Sequence, residues 1–168
     1  DAAARGLSDD AAVLDFHGHD LVLTHDVMAE GVHWLSNGHP ADVAWKLLSV
    51  NLSDLAAKGA KPLGVLLGFA LGDGDWDRAF AEGLKEALAH YGVALLGGDT
   101  VRGNGPRALG MTAIGATTHS PVPSRCGAGA GDLLWVTGTL GDAAAGFESA
   151  NEEKEGAPRL LAAYHRPI

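Results

Sequence analysis

The sequence predicts an α+β domain, in which a mixed β-sheet carries helices packed on one face, followed by the start of a second α/β domain. Short apolar runs typical of strands follow one another directly in several places, and only two long helical patterns separate them. Near residue 120 the composition changes, because Pro, Ser, Gly and Ala dominate residues 121–131. We therefore assign residues 1–119 to the first domain and residues 120–168 to a linker and the incomplete start of the second.

Six apolar runs predict strands, at residues 11–16, 20–24, 63–71, 93–96, 108–116 and 133–137. The first helix should begin after Asp42, which follows His39-Pro40 and is a suitable N-cap. Gly59 stands where a glycine would end this helix, and Pro62 prevents its continuation.

A second helix is predicted over residues 76–91, where large apolar side chains recur at helical spacing and Gly92 follows the last of them. Beyond the linker, the predicted strand at 133–137 leads into a glycine turn. A helix should begin at Asp142, and another short helix should follow near the end of the sequence.

Charge and composition exclude several classes of protein. Twelve basic and 21 acidic residues give a net charge of −9, and no Lys/Arg run could follow a phosphate backbone, so no nucleic-acid partner is expected. No apolar run reaches the roughly 18 residues that span a bilayer, so no membrane partner is expected either. The single Cys126 cannot form an internal disulfide and suits a reducing, cytoplasmic location. The P-loop motif G-x-x-x-x-G-K-[ST] is missing.

Four short motifs each place an aspartate at the edge of an apolar run. They are Ser8-Asp9-Asp10, Thr24-His25-Asp26, Asn51-Leu52-Ser53-Asp54 and Gly97-Gly98-Asp99-Thr100. Each aspartate alone is typical of a turn or a helix cap. Together they match the needs of hard divalent cations, which take several oxygen ligands, and of phosphates, which need close backbone approach. The sequence therefore predicts metal-dependent phosphate chemistry.

The third motif lies inside the first predicted helix, where Asn51, Asp54 and Lys58 share one polar face. One interpretation is a solvated face with an Asp54–Lys58 pair worth roughly 0.2–0.5 kcal/mol. The other is contact with metal or substrate, because Asn, Ser and Asp are poor helix formers and such local conflicts are typical of functional sites. The residues alone leave both interpretations open.

Five histidines lie in the first 40 residues, but none of their spacings is that of a structural zinc site, and there is only one cysteine. Zinc is therefore disfavoured. His33, which follows Glu30-Gly31-Val32, is the histidine that we expect to face a ligand.

Taken together and in this order, the motifs resemble those of the thiamine-monophosphate kinase family, which shares a superfamily with aminoimidazole ribonucleotide synthetase. The matching segments are residues 8–14, 30–34, 50–62, 97–103 and 131–142. The resemblance implies transfer of the γ-phosphoryl group of ATP directly onto thiamine monophosphate, giving thiamine diphosphate. It also implies a synthetase-like N-terminal fold, a homodimer formed through the N-terminal sheets, and a C-terminal domain that this chain lacks.

The resemblance also implies roles for individual residues. Several Mg²⁺ ions would be bound by Asp10, Thr24, His25, Asp26, Asp54 and Asp99. ATP would contact Gly98, Asp99 and Arg125, and thiamine monophosphate would contact His33. No discrete catalytic base is implied, because metal-assisted transfer needs none.

One departure from the family pattern is His25, since family members usually carry Thr or Ser there. A backbone carbonyl at this position could still bind metal. Two alternatives stay open: another ATP-dependent enzyme of the same superfamily, and a non-catalytic Mg–nucleotide-binding module. The segment at 30–34 favours the kinase over the first, and the four retained aspartate motifs favour it over the second.

Overall fold

Five strands form one sheet in a computed structural model that describes residues 2–103, 105–117, 119–152 and 157–168. The strands are β1 (Ala12–Phe16), β2 (His19–Ala29), β3 (Lys61–Leu71), β4 (Leu95–Arg102) and β5 (Ala108–Thr117). The described α-helices are α1 (Pro40–Ala57), α2 (Gly74–Tyr91), α3 (Asp142–Asn151) and α4 (Pro158–His165). A short 3₁₀ segment, Ala2–Leu7, precedes the sheet. None of the described helices is long and apolar enough to cross a bilayer.

The sheet has the order β1-β2-β5-β3-β4. Strands β3 and β4 are parallel and the other neighbours are antiparallel, which confirms the predicted mixed sheet. Successive residues of a strand point to opposite faces. Val22, Thr24 and Met28 of β2 are therefore buried on one face, whereas His25 and Val27 are exposed on the other.

Helices α1 and α2 cover the buried face, as the sequence predicts. Helix α1 contacts β2, β5 and β3, and α2 packs beside α1. The largest fully buried apolar side chains come from both layers: Phe80, Leu47, Leu48, Leu55, Leu109, Met111, Val22 and Val65. Burial of apolar area on this scale is the dominant stabilising term. One face of the sheet is thus committed to the core and the other stays open.

Helix α1 begins earlier than predicted. Its N-cap is His39, whose Nδ1 accepts a hydrogen bond from the Ala41 N–H at 3.3 Å, and the prediction of Asp42 is wrong. The reason is Pro40, which suits the first helical turn because its missing N–H would be unpaired there anyway. The predicted end is confirmed, since Gly59 follows the last turn with φ +62°.

Helix α2 ends as predicted at Gly92, which adopts a left-handed conformation with φ 64° and ψ 35°. Its beginning at Gly74 lies two residues before the predicted one, and the Asp73 side chain accepts hydrogen bonds from the first turn. Those hydrogen bonds, to the Trp76 and Asp75 N–H groups, lower the pKa of Asp73.

Two strands run at least five residues past their predicted ends. Strand β2 continues to Ala29 and β4 continues to Arg102, so Asp26 and Asp99 lie inside strands rather than after them. In β4 the reason is the glycine pair, which suggests a turn but here adopts extended positive-φ backbone at Gly97 (φ 151°) and Gly98 (φ 148°).

The predicted strand at 133–137 is wrong for this structure, because those residues pair with no described strand. Leu134 and Trp135 are 94% and 85% exposed. The predicted helix beginning at Asp142 is confirmed as α3. Helix α4 then packs on α1, and the Pro167 carbonyl accepts a hydrogen bond from Trp45 Nε1 at 3.1 Å. The division into two domains near residue 120 stays a prediction.

Candidate metal centre and adjoining cavity

Thr24 of β2 joins three of the predicted site segments. Its side chain is buried, and its hydroxyl oxygen lies 2.6 Å from Asp54 Oδ2 and 3.2 Å from the Asp10 carbonyl oxygen. The single hydroxyl proton goes to one acceptor at a time, and the short contact with the carboxylate is the stronger one. Strand β2, helix α1 and the segment before β1 therefore meet at this threonine.

Asp26 lies two residues further along β2, on the same face as Thr24. Its backbone N–H donates to Asn51 Oδ1 at 3.3 Å, and the Asn51 side-chain amide donates to the Leu47 carbonyl at 2.9 Å. Asn51 is fully buried, so it supports β2 instead of facing a ligand. Burial raises the pKa of Asp26, and the neighbouring Asp54 charge raises it further.

We call Asp10, Thr24, Asp26 and Asp54 the Asp54 group. Among the described residues, no protein cation forms an ion pair with Asp26 or Asp54. Two adjacent carboxylates without a cation repel each other. Carboxylate and hydroxyl oxygens are the donors that Mg²⁺ takes, with water or phosphate supplying the other positions. The donor chemistry therefore fits Mg²⁺, although no three described His, Cys, Asp or Glu side chains form a ready cluster.

We call Asp9, Arg5 and Lys58 the Asp9 group, which lies directly beside the first. The Asp9 side chain is 2% exposed, and it accepts hydrogen bonds from Arg5 Nη1 at 2.8 Å and from Lys58 Nζ. Burial alone would raise the pKa of Asp9, but the hydrogen bonds from Lys58, Arg5 and the Asp10 N–H hold it well below its usual range. Lys58 therefore forms an ion pair with Asp9, and the described residues contain no Asp54–Lys58 ion pair.

Arg125 reaches the same region from the segment after the sheet. Its Nη2 donates to Asp10 Oδ1, and its backbone N–H lies 3.4 Å from Asp9 Oδ2. The side chains of Arg125 and Asp10 are 59% and 43% exposed. An ion pair this open to water contributes little to stability. Arg125 is therefore a cation at the edge of the Asp54 group that can change partners at small cost.

The other face of the sheet holds two further predicted metal residues. His25 Nδ1 lies 2.8 Å from Thr112 Oγ1, and His25 and Asp99 line one cavity of about 290 Å³. The side chains of His25 and Asp99 are therefore separated by the sheet from Thr24 and Asp26. The structure brings the Asp54 group together and leaves the roles of His25 and Asp99 as predictions.

Gly98 has a structural reason to be glycine. A Cβ atom there would lie 1.9 Å from the Leu67 carbonyl oxygen of β3, and φ is 148°. Close packing of two strand backbones therefore excludes a side chain at this position. Its predicted contact with ATP is a separate hypothesis.

His33 lies in a tight loop after β2 and opens into a cavity of about 520 Å³ beside Asp26. The His33 ring is held at one nitrogen, because the Ala29 N–H donates to Nδ1 at 3.0 Å. Apolar side chains, including Val32 and Phe147, form much of the wall, and Lys46 contributes a charge. The structure therefore places the predicted substrate residue next to the candidate metal centre, at the mouth of a partly apolar cavity.

Sequence reasoning missed two cations of this region. Arg5 carries no motif, and its contact with Asp9 depends on the 3₁₀ turn of Ala2–Leu7. Lys46 follows Asp42 by four residues on α1, a spacing that favours a local ion pair. Instead, Asp42 accepts a hydrogen bond from Arg166, which lies 124 residues away in sequence.

Residues 8–117 match the family model described as AIR synthase related protein, N-terminal domain. The chain belongs to the AIR synthase related family. Among curated proteins, this family member is 47% identical over 146 residues to the thiamine-monophosphate kinase of Caulobacter vibrioides, an alignment that covers 84% of this chain and 42% of the relative. It is 41% identical over 145 residues to the corresponding kinase of Escherichia coli K12, covering 84% and 44%. The chain thus spans less than half the length of these relatives.

Solved structures give the same placement for the AIR synthase related chain. It superposes on AaThiL complexed with AMPPCP and TMP with a TM-score of 0.88 and 33% identity, covering 98% of this chain and 56% of that one. It superposes on the thiamine-monophosphate kinase of Stenotrophomonas maltophilia K279a with a TM-score of 0.79 and 36% identity, covering 97% and 55%.

Proposed function

We propose that the protein is a thiamine-monophosphate kinase, which transfers the γ-phosphoryl group of ATP onto thiamine monophosphate with the help of Mg²⁺. The observation that carries the proposal is the Asp54 group beside the His33 cavity. Asp26 and Asp54 interact electrostatically and have no ion-pair partner among the described residues, Thr24 joins Asp54 to the Asp10 backbone, and a partly apolar cavity opens beside Asp26. The relatives named as thiamine-monophosphate kinases and the structure with AMPPCP and TMP support it.

Charge neutralisation is the main chemical task of such a site. Donor and acceptor are both anionic phosphates, and the protein itself has a net charge of −9. Without bound cations, phosphates would be repelled from Asp10, Asp26 and Asp54. The same carboxylates would hold Mg²⁺, which would supply the positive charge that neutralises the phosphates of both substrates. We expect no covalent enzyme intermediate: an acceptor phosphate oxygen bonds to the γ-phosphorus while the bond to the ADP oxygen breaks.

The site residues are assigned as follows. Metal ions would be bound by Asp10, Thr24, Asp26 and Asp54 on one face of the sheet, and by Asp99 from the other face. His25 would act through its backbone carbonyl, because its side chain faces Thr112. ATP contacts Gly98, Asp99 and Arg125, and the acceptor contacts His33. The apolar wall of the His33 cavity suits the organic part of thiamine monophosphate, and its Asp26 end suits metal-bound phosphate.

We also propose a cytoplasmic homodimer. The open face of the sheet exposes apolar side chains at Val27 (52%), Leu66 (38%) and Val101 (56%). A second copy would remove them from water, which favours association. The exposed free Cys126 supports a reducing location.

The test uses the full-length gene product with ATP, Mg²⁺ and thiamine monophosphate, and follows thiamine diphosphate by chromatography. Free thiamine and other phosphate acceptors serve as controls. Phosphorylation of thiamine monophosphate, but of none of the other acceptors, would establish the kinase. Product from a different acceptor would indicate another ATP-dependent enzyme of the superfamily. Mg²⁺-dependent ATP binding with no product would indicate a binding module.

A further inference from the structure

Lys46 connects three parts of the structure around the His33 cavity. It belongs to α1, its Nζ donates to the His33 carbonyl oxygen at 2.9 Å, and the same Nζ lies 4.2 Å from the centroid of the Tyr164 ring in α4. One ammonium group thus ties the loop that carries His33 to α1 and to the helix that closes the far wall. Cation–π contact with a tyrosine ring stabilises such a charge.

The Lys46 charge has no carboxylate partner among the described residues. Asp42, one helical turn earlier, is bound by Arg166. Burial lowers the pKa of Lys46, because removal from water disfavours the charged ammonium. Lys58, by contrast, is buried against Asp9. A half-buried cation that has only a carbonyl and a ring as partners needs an explanation other than stability.

The position of Lys46 supplies that explanation. Lys46 and Tyr164 line both the His33 cavity and a neighbouring cavity of about 450 Å³ under α4. The Lys46 side chain therefore lies between the two cavities, where it contacts the loop that carries His33.

The hydrogen bonds of His33 show what the support achieves. The His33 N–H donates to the Ala29 carbonyl at 2.9 Å, and the Ala29 N–H donates to His33 Nδ1 at 3.0 Å. Since Nδ1 accepts, the neutral ring carries its proton on Nε2, which is left as a donor. The remaining backbone polar group of His33 is its carbonyl, which accepts the hydrogen bond from Lys46 Nζ.

We propose that Lys46 is a positioning residue for the phosphate acceptor: it fixes the His33 loop so that the Nε2–H of His33 is presented to the acceptor in the cavity beside Asp26. This inference rests on the proposed function for the identity of the acceptor. It concerns binding of the acceptor, and ATP binding should not depend on it.

The kinetic test compares Lys46→Met, His33→Ala and the double variant in the full-length gene product. Lys46→Met removes the ammonium at similar volume. We expect the KM for thiamine monophosphate to rise about tenfold, with the KM for ATP changed by less than about twofold. Because Lys46 acts through His33, the double variant should be no worse than His33→Ala alone. Lys85→Met, at an exposed lysine of α2, is the matched control and should resemble the wild type.

Two kinetic results would overturn the proposal. One is a Lys46→Met enzyme with the same acceptor KM as Lys85→Met. The other is additivity, in which the double variant loses the product of the two single losses, because Lys46 would then contact the acceptor independently. Lys46→Arg keeps a charged donor and should retain most of the acceptor affinity. If Lys46→Met does not fold, Lys46→Gln, which is too short to reach the loop, takes its place.

A second readout needs no turnover. Nitrogen-15 NMR of the His33 ring should show the Nε2–H tautomer in the wild type and in Lys85→Met, and a mixture of tautomers in Lys46→Met. An unchanged tautomer in Lys46→Met would contradict positioning even if the acceptor KM rose. A protein that shows the tautomer change but phosphorylates no thiamine monophosphate would refute the proposed function and leave the positioning role intact.

Discussion

Two adjacent carboxylates, Asp9 and Asp10, have opposite surroundings. Asp9 is 2% exposed and held by Arg5 and Lys58, which keep its pKa well below the usual range. Asp10 is 43% exposed, and its charged partner is the 59% exposed Arg125. The same contrast extends to the two groups these residues belong to. The Asp9 group contains its own cations, whereas Asp26 and Asp54 have no ion-pair partner among the described residues.

Under the proposed function, the difference separates carboxylates that stabilise the fold from carboxylates that would bind Mg²⁺. A buried carboxylate surrounded by protein cations is satisfied, and adding Mg²⁺ would gain nothing there. Burial raises the pKa of Asp26 and the neighbouring Asp54 charge raises it further, so the charged form of Asp26 is disfavoured until a cation binds. Neighbouring positions in one motif can therefore serve stability and chemistry separately, and the four predictions below test this division.

The largest effect is expected from Asp54→Asn. The change keeps the shape of the side chain but removes a charge from the Asp54 group, so kcat for thiamine diphosphate formation should fall about 10³-fold or more. The melting temperature should change by only a few degrees. Asp75→Asn is the matched control, since the Asp75 side chain is 93% exposed beside Arg78. A lower melting temperature without loss of activity would show that Asp54, like Asp9, serves the stability of the fold.

Asp9→Ala should show the reverse pattern, a large loss of stability. It leaves Lys58, whose side chain is 5% exposed, as a buried cation without its main partner. Breaking such a pair costs about 3–5 kcal/mol, measured as the free energy of unfolding in urea. Adding Lys58→Met should restore much of that loss, because an apolar pair can replace a buried ion pair. A double variant as unstable as the single one would show that the Asp9 charge is needed for another reason.

Acid titration sharpens the same contrast. The folded protein holds Asp9 with a pKa lower than that of the unfolded chain, so the unfolded chain binds the proton first as the pH falls. The stability due to Asp9 is complete above the ordinary carboxyl range, about pH 4, and is lost as the pH falls further toward the folded value. Unfolding free energies measured at a series of pH values should therefore decline more steeply below about pH 4 in the wild type than in Asp9→Asn. Parallel slopes would remove Asp9 as the cause.

The sequence predicted the two long helices and the mixed sheet, but it did not predict contacts that depend on how these elements pack. The two long helices followed from apolar spacing and from Gly59 and Gly92, because these signals are local. The pairing of Lys58 with Asp9 joins residues 49 positions apart, and helix spacing pointed to Asp54 instead. Local patterns predict elements, but ion-pair partners depend on how the elements pack.

The four aspartate motifs were found in sequence, yet sequence gave no sign that the sheet would separate them. Asp26 and Asp99 lie inside strands, and strand alternation places their side chains on opposite faces. Deciding this required the ends of β2 and β4, which the sequence placed five and six residues too early. A one-residue error in register reverses the face of every side chain in a strand. Candidate site residues could therefore be proposed from sequence, but which of them lie together in the structure could not.

The smallest effect on stability is expected from Arg125→Gln, which removes the one charged partner that Asp10 has among the described residues. Since the pair is exposed, the free energy of unfolding should change by less than about 1 kcal/mol. The KM for ATP should nevertheless rise about tenfold, with the KM for thiamine monophosphate unchanged, because the guanidinium is free to leave Asp10 for a nucleotide phosphate once Mg²⁺ neutralises the Asp54 group. Equilibrium unfolding without metal and initial rates at varied ATP measure the two quantities separately. A loss of stability as large as that of Asp9→Ala, with ATP binding unaltered, would contradict this prediction. Arg125 would then be a structural cation like Arg5 and Lys58, and Asp10 would belong to the Asp9 group.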